Sequence, residues 1–543
     1  MRKADADDMR ASSAKPVPAV VFLVRRVGAF LITALRAFIF DGRQDACATS
    51  KPCAALSAAL GILFAAVLSP IAFAAPPALS DLSASAAERQ VTTAAHDHVL
   101  TNINCWSPDG RWLAYDTRSE GGAKFDGASI EIVDTQEGRV RVLYRSRDGA
   151  GCGVVTFHPV IASVVFILGP ANPTADWSYG ASRRRGVIVD GGRPGRIRAM
   201  DAMNYAPPFT PGALRGGSHV HVYSPDGQWL SFTYDDEILS RLDEAEEKAK
   251  GQGSAPAASG AVPVEHDRNQ RNVAVAAPLA PVHVARSHPR NHDGGFFCAV
   301  VTRTVNDPRP GSDEISRAFE EGWLGENGYV RVDGRRQRRA LAFQGLVTAA
   351  GGSRHAEVFV VDIPDDITRP GDAPLEGTAT RRPAPPAGTA QRRLTFTDAR
   401  KFPGAAAAPR HWLRSSPDGT QIAFLMKGDA GGTQLWTISP NGGEPRQVTR
   451  LPHDIASAFS WNRDGTRIAA VIDGSVCVID TASGDAARLT PRRDPSDAPS
   501  ELACVFSPDG AQIAYLRRMV SQGNGYNQIF TVRVPVQTPF PNL

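Results

Sequence analysis

The run Ser218-His219-Val220-His221 sets two imidazoles two residues apart. On an extended strand, side chains at that spacing share one face, so His219 and His221 are expected to project together. A second group, His283, His288, His292 and Asp293, follows in VHVARSHPRNHDGG. Neutral imidazoles at this density can hold a divalent transition metal, which makes His219, His221, His283, His288 and His292 the candidate ligands. The structural alternative is hydrogen-bonded histidines around turns, because no strict ligand spacing is met. Further on, Ser312-Asp313-Glu314, Glu320, Glu321 and Trp323 form a compact acidic set. It can present carboxylates to a cation or a basic partner, or its acids can stabilise the N-terminus of a short helix over SDEISRAFEEGWL. Glu314 and Trp323 therefore join His219 and His221 as candidate ligand or channel residues.

The elements that must position these groups are repeated. Ser-Pro-Asp-Gly occurs at 107–110, 224–227, 416–419 and 507–510, with Asn-Arg-Asp-Gly at 462–465. Each copy follows a short apolar run and precedes an alternating one. Pro presets the first central position of a type I turn, Asp suits the second, and Gly accepts the left-handed conformation that closes a bulged hairpin. Behind each turn comes a second strand, and seven can be counted, starting at Trp112, Ser163, Trp229, Ala340, Ile422, Ile468 and Ile513. Third strands, rich in β-branched residues, start at Ser129, Gly186, Asn272, Glu357, Gln434, Ser475 and Gln528. The two independent counts agree. An all-β, single seven-bladed β-propeller of four-stranded antiparallel blades is expected over residues 89–536.

The seventh blade has three strands and then only QTPFPNL, so residues 537–543 read as a tail. One outer-strand copy, Arg89-Gln90-Val91-Thr92, stands unassigned before blade one. Pairing it with Gln528–Val534 would join the chain ends and remove an exposed sheet edge.

The succession W-S-P-D-G-x-x-I/L-A-F/Y, I-x-V-x-D and R-x-L/V-T resembles the WD40-like repeat of TolB, the periplasmic propeller of the Tol-Pal system. Ser416–Gly419 with Arg446–Thr449 carries it most cleanly, and it covers nearly all of residues 89–536. The chain departs from TolB in the short stretch between Ala74 and Arg89, where TolB has a separate α/β domain, so the Tol-Pal role is not carried over. The segments GGSHVHVYSPDGQWLSFTYDDE and RPGSDEISRAFEEGWLG resemble those of a functionally uncharacterised family of TolB-like bacterial proteins. The HxH before the second SPDG also resembles that of oligogalacturonate lyases, TolB-like propellers with a His-held channel metal. That likeness implies, as an alternative, a metal-dependent enzyme acting on an anionic sugar. Prolyl oligopeptidase-like enzymes would add a G-x-S-x-G nucleophile elbow, which the sequence lacks.

Composition limits the partners. Residues 1–74 hold nine Lys/Arg and five Asp/Glu, leaving 51 of each sign in the remainder. That balance lacks the basic field of a nucleic-acid binder. Residues 54–74, apolar and ending in Ala72-Phe73-Ala74 after Lys51, have the grammar of a cleaved secretory signal; an uncleaved membrane anchor is the alternative. Residues 1–74 are thus expected to be a leader and 75–88 a linker, with disordered inserts at about 244–266 and 364–391. Of seven cysteines, Cys105, Cys152, Cys298, Cys477 and Cys504 lie beyond the leader, mostly in apolar runs that suit burial. The expectation is a non-catalytic periplasmic propeller, without a required cofactor, that binds a protein or saccharide ligand at its channel mouth. Peripheral association with the cell envelope is compatible with it.

Overall fold

The computed structural model describes residues 79–251, 265–521 and 523–535. The signal segment, the cleavage site and the C-terminal tail lie outside the described residues. Among the described residues, no helix is long and apolar enough to cross a membrane.

Seven small antiparallel sheets, mostly four-stranded, make the propeller. Each of the fourteen second and third strands read from sequence is a strand of the structure. Blade three shows the plan, with Gly216–Tyr223 innermost, then Leu230–Asp236, Asn272–Ala277 and Phe297–Val300. In blade one the innermost strand is reduced to bridges, Trp106 to Leu113 and Val99 to Asp116. The core is layered between blades rather than collected in one centre. Phe343 and Phe359 of blade four, for example, pack with Val273 and Val275 of blade three.

The repeated tetrapeptide does the same work at every copy. Ser107 Oγ bonds the Asp109 carboxylate and accepts the Trp112 amide, and Asp109 accepts the Arg111 amide. The same three bonds recur at Ser224-Asp226, Ser416-Asp418 and Ser507-Asp509, and at Asn462-Asp464 with the amide side chain replacing the hydroxyl. The following glycines, Gly110, Gly227, Gly419, Gly465 and Gly510, have φ between 69° and 76°. These aspartates are turn-makers.

The ring closes as the unassigned repeat suggested. Glu88, Arg89 and Gln90 pair antiparallel with Val532, Thr531 and Phe530, completing blade seven. Glu88 accepts further bonds from Tyr515, Arg493 and Arg517. The segment expected to be a linker also contributes: Ser80–Asp81 adds a fifth strand to blade six, parallel to Ala487 and Arg488. Leu79 and Leu82 pack beneath it, so an apolar face holds this segment down.

Three other expectations are corrected. Residues 237–251 form a helix, with Arg183 and Arg241 on the Glu237 carboxylate, where disorder was expected from about 244. Residues 364–391 are packed turns with Ile367 and Leu375 buried, because the many prolines fix the path instead of loosening it. SDEISRAFEEGWL is not a helix: Ala318–Trp323 is the innermost strand of blade four, its apolar positions used in sheet packing. The five cysteines are free and buried.

Candidate channel-mouth site

In an antiparallel blade, the start of the first strand, the end of the second and the start of the third share one end of the ring. The tetrapeptide turns occupy the opposite end. The long connections 117–128, 169–184 and 237–271 join second to third strands, and 301–317 and 394–413 lead into first strands. The opposite end also sends out long connections, 278–296, 324–339 and 363–389, so what sets the mouth apart is its inner strands rather than loop length.

The innermost strands of blades two, three and four are also irregular. Pairing shifts between Gly153 and Thr156, between His219 and Val222, and between Phe319 and Gly322. Within each shift one non-glycine residue takes positive φ: Val154 at 57°, Val220 at 56° and Glu320 at 54°. For β-branched valine this is an outlier, held by neighbouring blades. Val154 N–H donates to Asp116 at 2.7 Å, and the His221 carbonyl accepts from Thr156 at 2.7 Å. Bulges re-aim side chains, and here they undo the expected pairing of histidines.

His219 is half-buried, and the guanidiniums of Arg184, Arg271, Arg410 and Arg118 surround it closely enough to disfavour its proton. Burial first, then these charges, holds its pKa well below the usual value. They come from blades two, three, five and one respectively, so they meet at the ring axis. His221 instead turns into the blade. It is fully buried against Phe232, with Nε2 2.9 Å from Ser218 Oγ, which donates to Asp201 at 2.7 Å. Burial moves His221 down to about 3 and Asp201 up to about 6. The two imidazoles do not share a face, because Val220 adds a residue to the strand.

The other candidates disperse. His292 Nε2 lies 4.0 Å from Asp201, reaching the His221 chain from the outer edge of blade two, where it bridges to Met203. His288 stacks near Trp177 and Tyr205, and exposed His283 pairs with Asp293. Glu314 is tied to Arg309 in the mouth-side connection. Trp323 is half-buried, its indole donating to the Val222 carbonyl at 3.1 Å across the blade three–four seam. Among the described residues, one trio of potential metal ligands converges: His355, Glu357 and Asp398. None was a sequence candidate. Arg393 sits 3.1 Å from both carboxylates, and Thr395 and Thr397 also donate to Glu357. A guanidinium already occupies the position a cation would take, so this is a brace rather than a metal centre.

What sequence reading missed is a set of arginines with unmatched acids. Arg271 Nε bonds Asp235 at 3.0 Å, Arg410 Nε bonds Glu320 at 2.8 Å, and Arg118 grips Asp116. Arg184 is 6% exposed, with Nη1 on the Tyr179 hydroxyl and Nη2 3.7 Å from Asp235. Deeper in, both Glu321 oxygens and Arg414 Nε are buried without hydrogen-bond partners. Burial raises Glu321 to about 8 and lowers Arg414 to about 10. A signal existed: Arg184, Arg271, Arg317 and Arg410 each stand just before a strand, at the end the turns do not use.

This fold and its elaborated mouth define a seven-bladed β-propeller with a charged axial site. The chain belongs to the family of the uncharacterised protein YidR of Escherichia coli (strain K12), being 46% identical over 433 residues that cover 79% of this chain and 95% of YidR. A family model described only as a protein of unknown function (DUF3748) matches residues 151–292. Among solved structures, the chain resembles an oligogalacturonate lyase in complex with manganese, at 13% identity and TM-score 0.47, covering 85% of this chain and 97% of that one. An oligogalacturonate lyase from Vibrio parahaemolyticus matches at 12% identity and TM-score 0.45, covering 85% and 99%.

Proposed function

We propose that this protein is a non-catalytic, TolB-like binding propeller, exported to the periplasm, that takes a protein or saccharide ligand at its channel mouth. The observation that supports binding there is the convergence of three bulged innermost strands with buried charged groups whose atoms lack hydrogen bonds, among them Arg184, Glu321 and Arg414. Backbone strain and unsatisfied polar groups persist where function requires them. Export rests on the sequence of residues 54–74.

The test is a glycan array and a panel of purified envelope proteins, probed with wild-type protein and with a His219→Ala/Arg410→Ala variant. The expected result is a ligand bound by the wild type and lost in the variant. Manganese-dependent conversion of trigalacturonate to an unsaturated product would overturn the non-catalytic reading in favour of a lyase. Export predicts that protein isolated from its native host begins near Ala75; a cytoplasmic chain retaining residues 1–74 would refute it.

A further inference from the structure

The Arg184 side chain poses an electrostatic problem. A guanidinium grips a carboxylate or phosphate side-on through Nε and Nη2, which point the same way. In Arg184 those two atoms are buried and have no hydrogen-bond partner, while Nη1 is held by Tyr179. The side chain is 6% exposed. An unpaired buried charge is costly unless something completes it. Asp235, the nearest acid, is drawn to Arg271 at 3.0 Å and stays 3.7 Å from Arg184.

The surroundings compound the imbalance. Arg271, Arg317 and Arg410 crowd the same mouth, and burial followed by the Arg271 charge depresses the pKa of Arg317. Their facing acids are Asp235 and Glu320, each already bonded to one arginine. His219 is held neutral beside them and adds no positive charge, but it offers a polar edge to a ligand. Arg317 is exposed and Arg410 half-exposed, so both guanidiniums are within reach of a ligand entering from solvent.

We propose that the channel mouth is an oxyanion site, in which the Nε/Nη2 edge of Arg184, flanked by Arg271, Arg317 and Arg410, holds carboxylate or phosphate oxygens of a small, multiply charged ligand. This rests on the mouth being the binding site and adds the chemical class of what binds. Arg184 is the anchor, since it alone of the four has both atoms of its side-on edge buried without a hydrogen bond, with Asp235 no nearer than 3.7 Å. The outer arginines steer the anion and neutralise its remaining charge.

The test is calorimetry and thermal shift on the full exported chain with citrate, pyrophosphate and maltotriose, repeated for Arg184→Met and Arg184→Lys. Citrate or pyrophosphate is expected to bind saturably and raise Tm, and maltotriose not to. Preference for one anion identifies the carboxylate or the phosphate source. Arg184→Lys should weaken binding at least about tenfold, since lysine lacks the side-on fork. Arg184→Met should abolish the shift yet raise the Tm of ligand-free protein, because it removes a buried charge that Asp235 and Tyr179 only partly compensate. Anion binding retained in Arg184→Met would mean nonspecific attraction and overturn the proposal. Binding of maltotriose with no anion preference would overturn it while leaving the mouth as a binding site. Binding of none of the three ligands, or a less stable Arg184→Met with unchanged anion affinity, would also overturn it.

Discussion

Blades five to seven and blades two to four are built from the same unit and put to different uses. In blades five and six the innermost strand pairs for two residues, Arg414–Ser415 and Ser460–Trp461, and the connections within each blade are short. Blades two to four have longer innermost strands, each broken by a bulge with a positive-φ residue. The regular half keeps its departures few, Asp473 at φ 47° and a pairing shift between Pro499 and Cys504, and it closes the ring. The irregular half departs from local preference where its side chains face the axis. Sequences that specify a structure depart from local consistency mainly at functional sites, and here the bulges with a positive-φ residue inside an innermost strand fall in three consecutive blades, two to four.

If the regular half anchors the ring, cutting its closure should have the largest effect. Deleting residues 79–93 removes the outer strand of blade seven, the added strand on blade six and the Glu88 contacts with Tyr515, Arg493 and Arg517. At about 1 kcal/mol net per hydrogen bond, plus the burial of Leu82 and Val91, the loss is on the order of 5 kcal/mol. A fall in Tm of about 5 °C is expected by calorimetry. An unchanged Tm would show that the closure is a loose tail and that the comparison fails.

Acid should probe buried histidines in both halves, with His221 and His292 reporting on blades two and three. Buried His98, His221, His292 and His411 are held down to about 4, 3, 4 and 4, so the folded chain refuses protons that the unfolded chain accepts below pH 6.5. Groups with depressed folded values contribute stability at neutral pH that is lost as pH falls. Asp201, raised to about 6, and Glu321, raised to about 8, act in the opposite sense. Near pH 5 the histidines prevail by about two protons, a slope of roughly 2–3 kcal/mol per pH unit. Tm should therefore fall between pH 6.5 and 4.5, and His221→Asn, in blade three, should flatten the slope by about one proton. A variant with the wild-type slope would show that His221 is not held neutral by burial.

The same contrast explains what could be read from sequence. The fourteen strands and the closing repeat were legible because alternation and turn chemistry are local: Ser507-Pro508-Asp509-Gly510 specifies its own hairpin. The site was legible only in part. His219 was found, but the bulge that separates it from His221 depends on Val220 adopting a conformation that its own sequence disfavours. Arg118, Arg184, Arg271 and Arg410 are scattered over nearly three hundred residues of sequence and meet only because the ring brings blades one, two, three and five to one axis.

The smallest expected effect compares one tetrapeptide in both halves. Gly227 in blade three and Gly510 in blade seven have φ of 73° and 72°, so alanine meets the same backbone strain at each, about 1 kcal/mol. Their surroundings differ. A methyl at Gly510 meets no atom within 4 Å, whereas at Gly227 it lies 2.3 Å from the His158 ring. That ring cannot swing aside freely: its Nδ1 accepts the Val160 and Ile161 amides, and it packs on Tyr223 at 4.6 Å. Gly510→Ala should therefore cost about 1 kcal/mol, and Gly227→Ala about 2–4 kcal/mol as overpacking is added. Denaturant unfolding of the two variants reads the difference directly. Equal costs would mean that the seam between blades two and three yields as easily as open solvent, and that the irregular half is not held rigid by its neighbours.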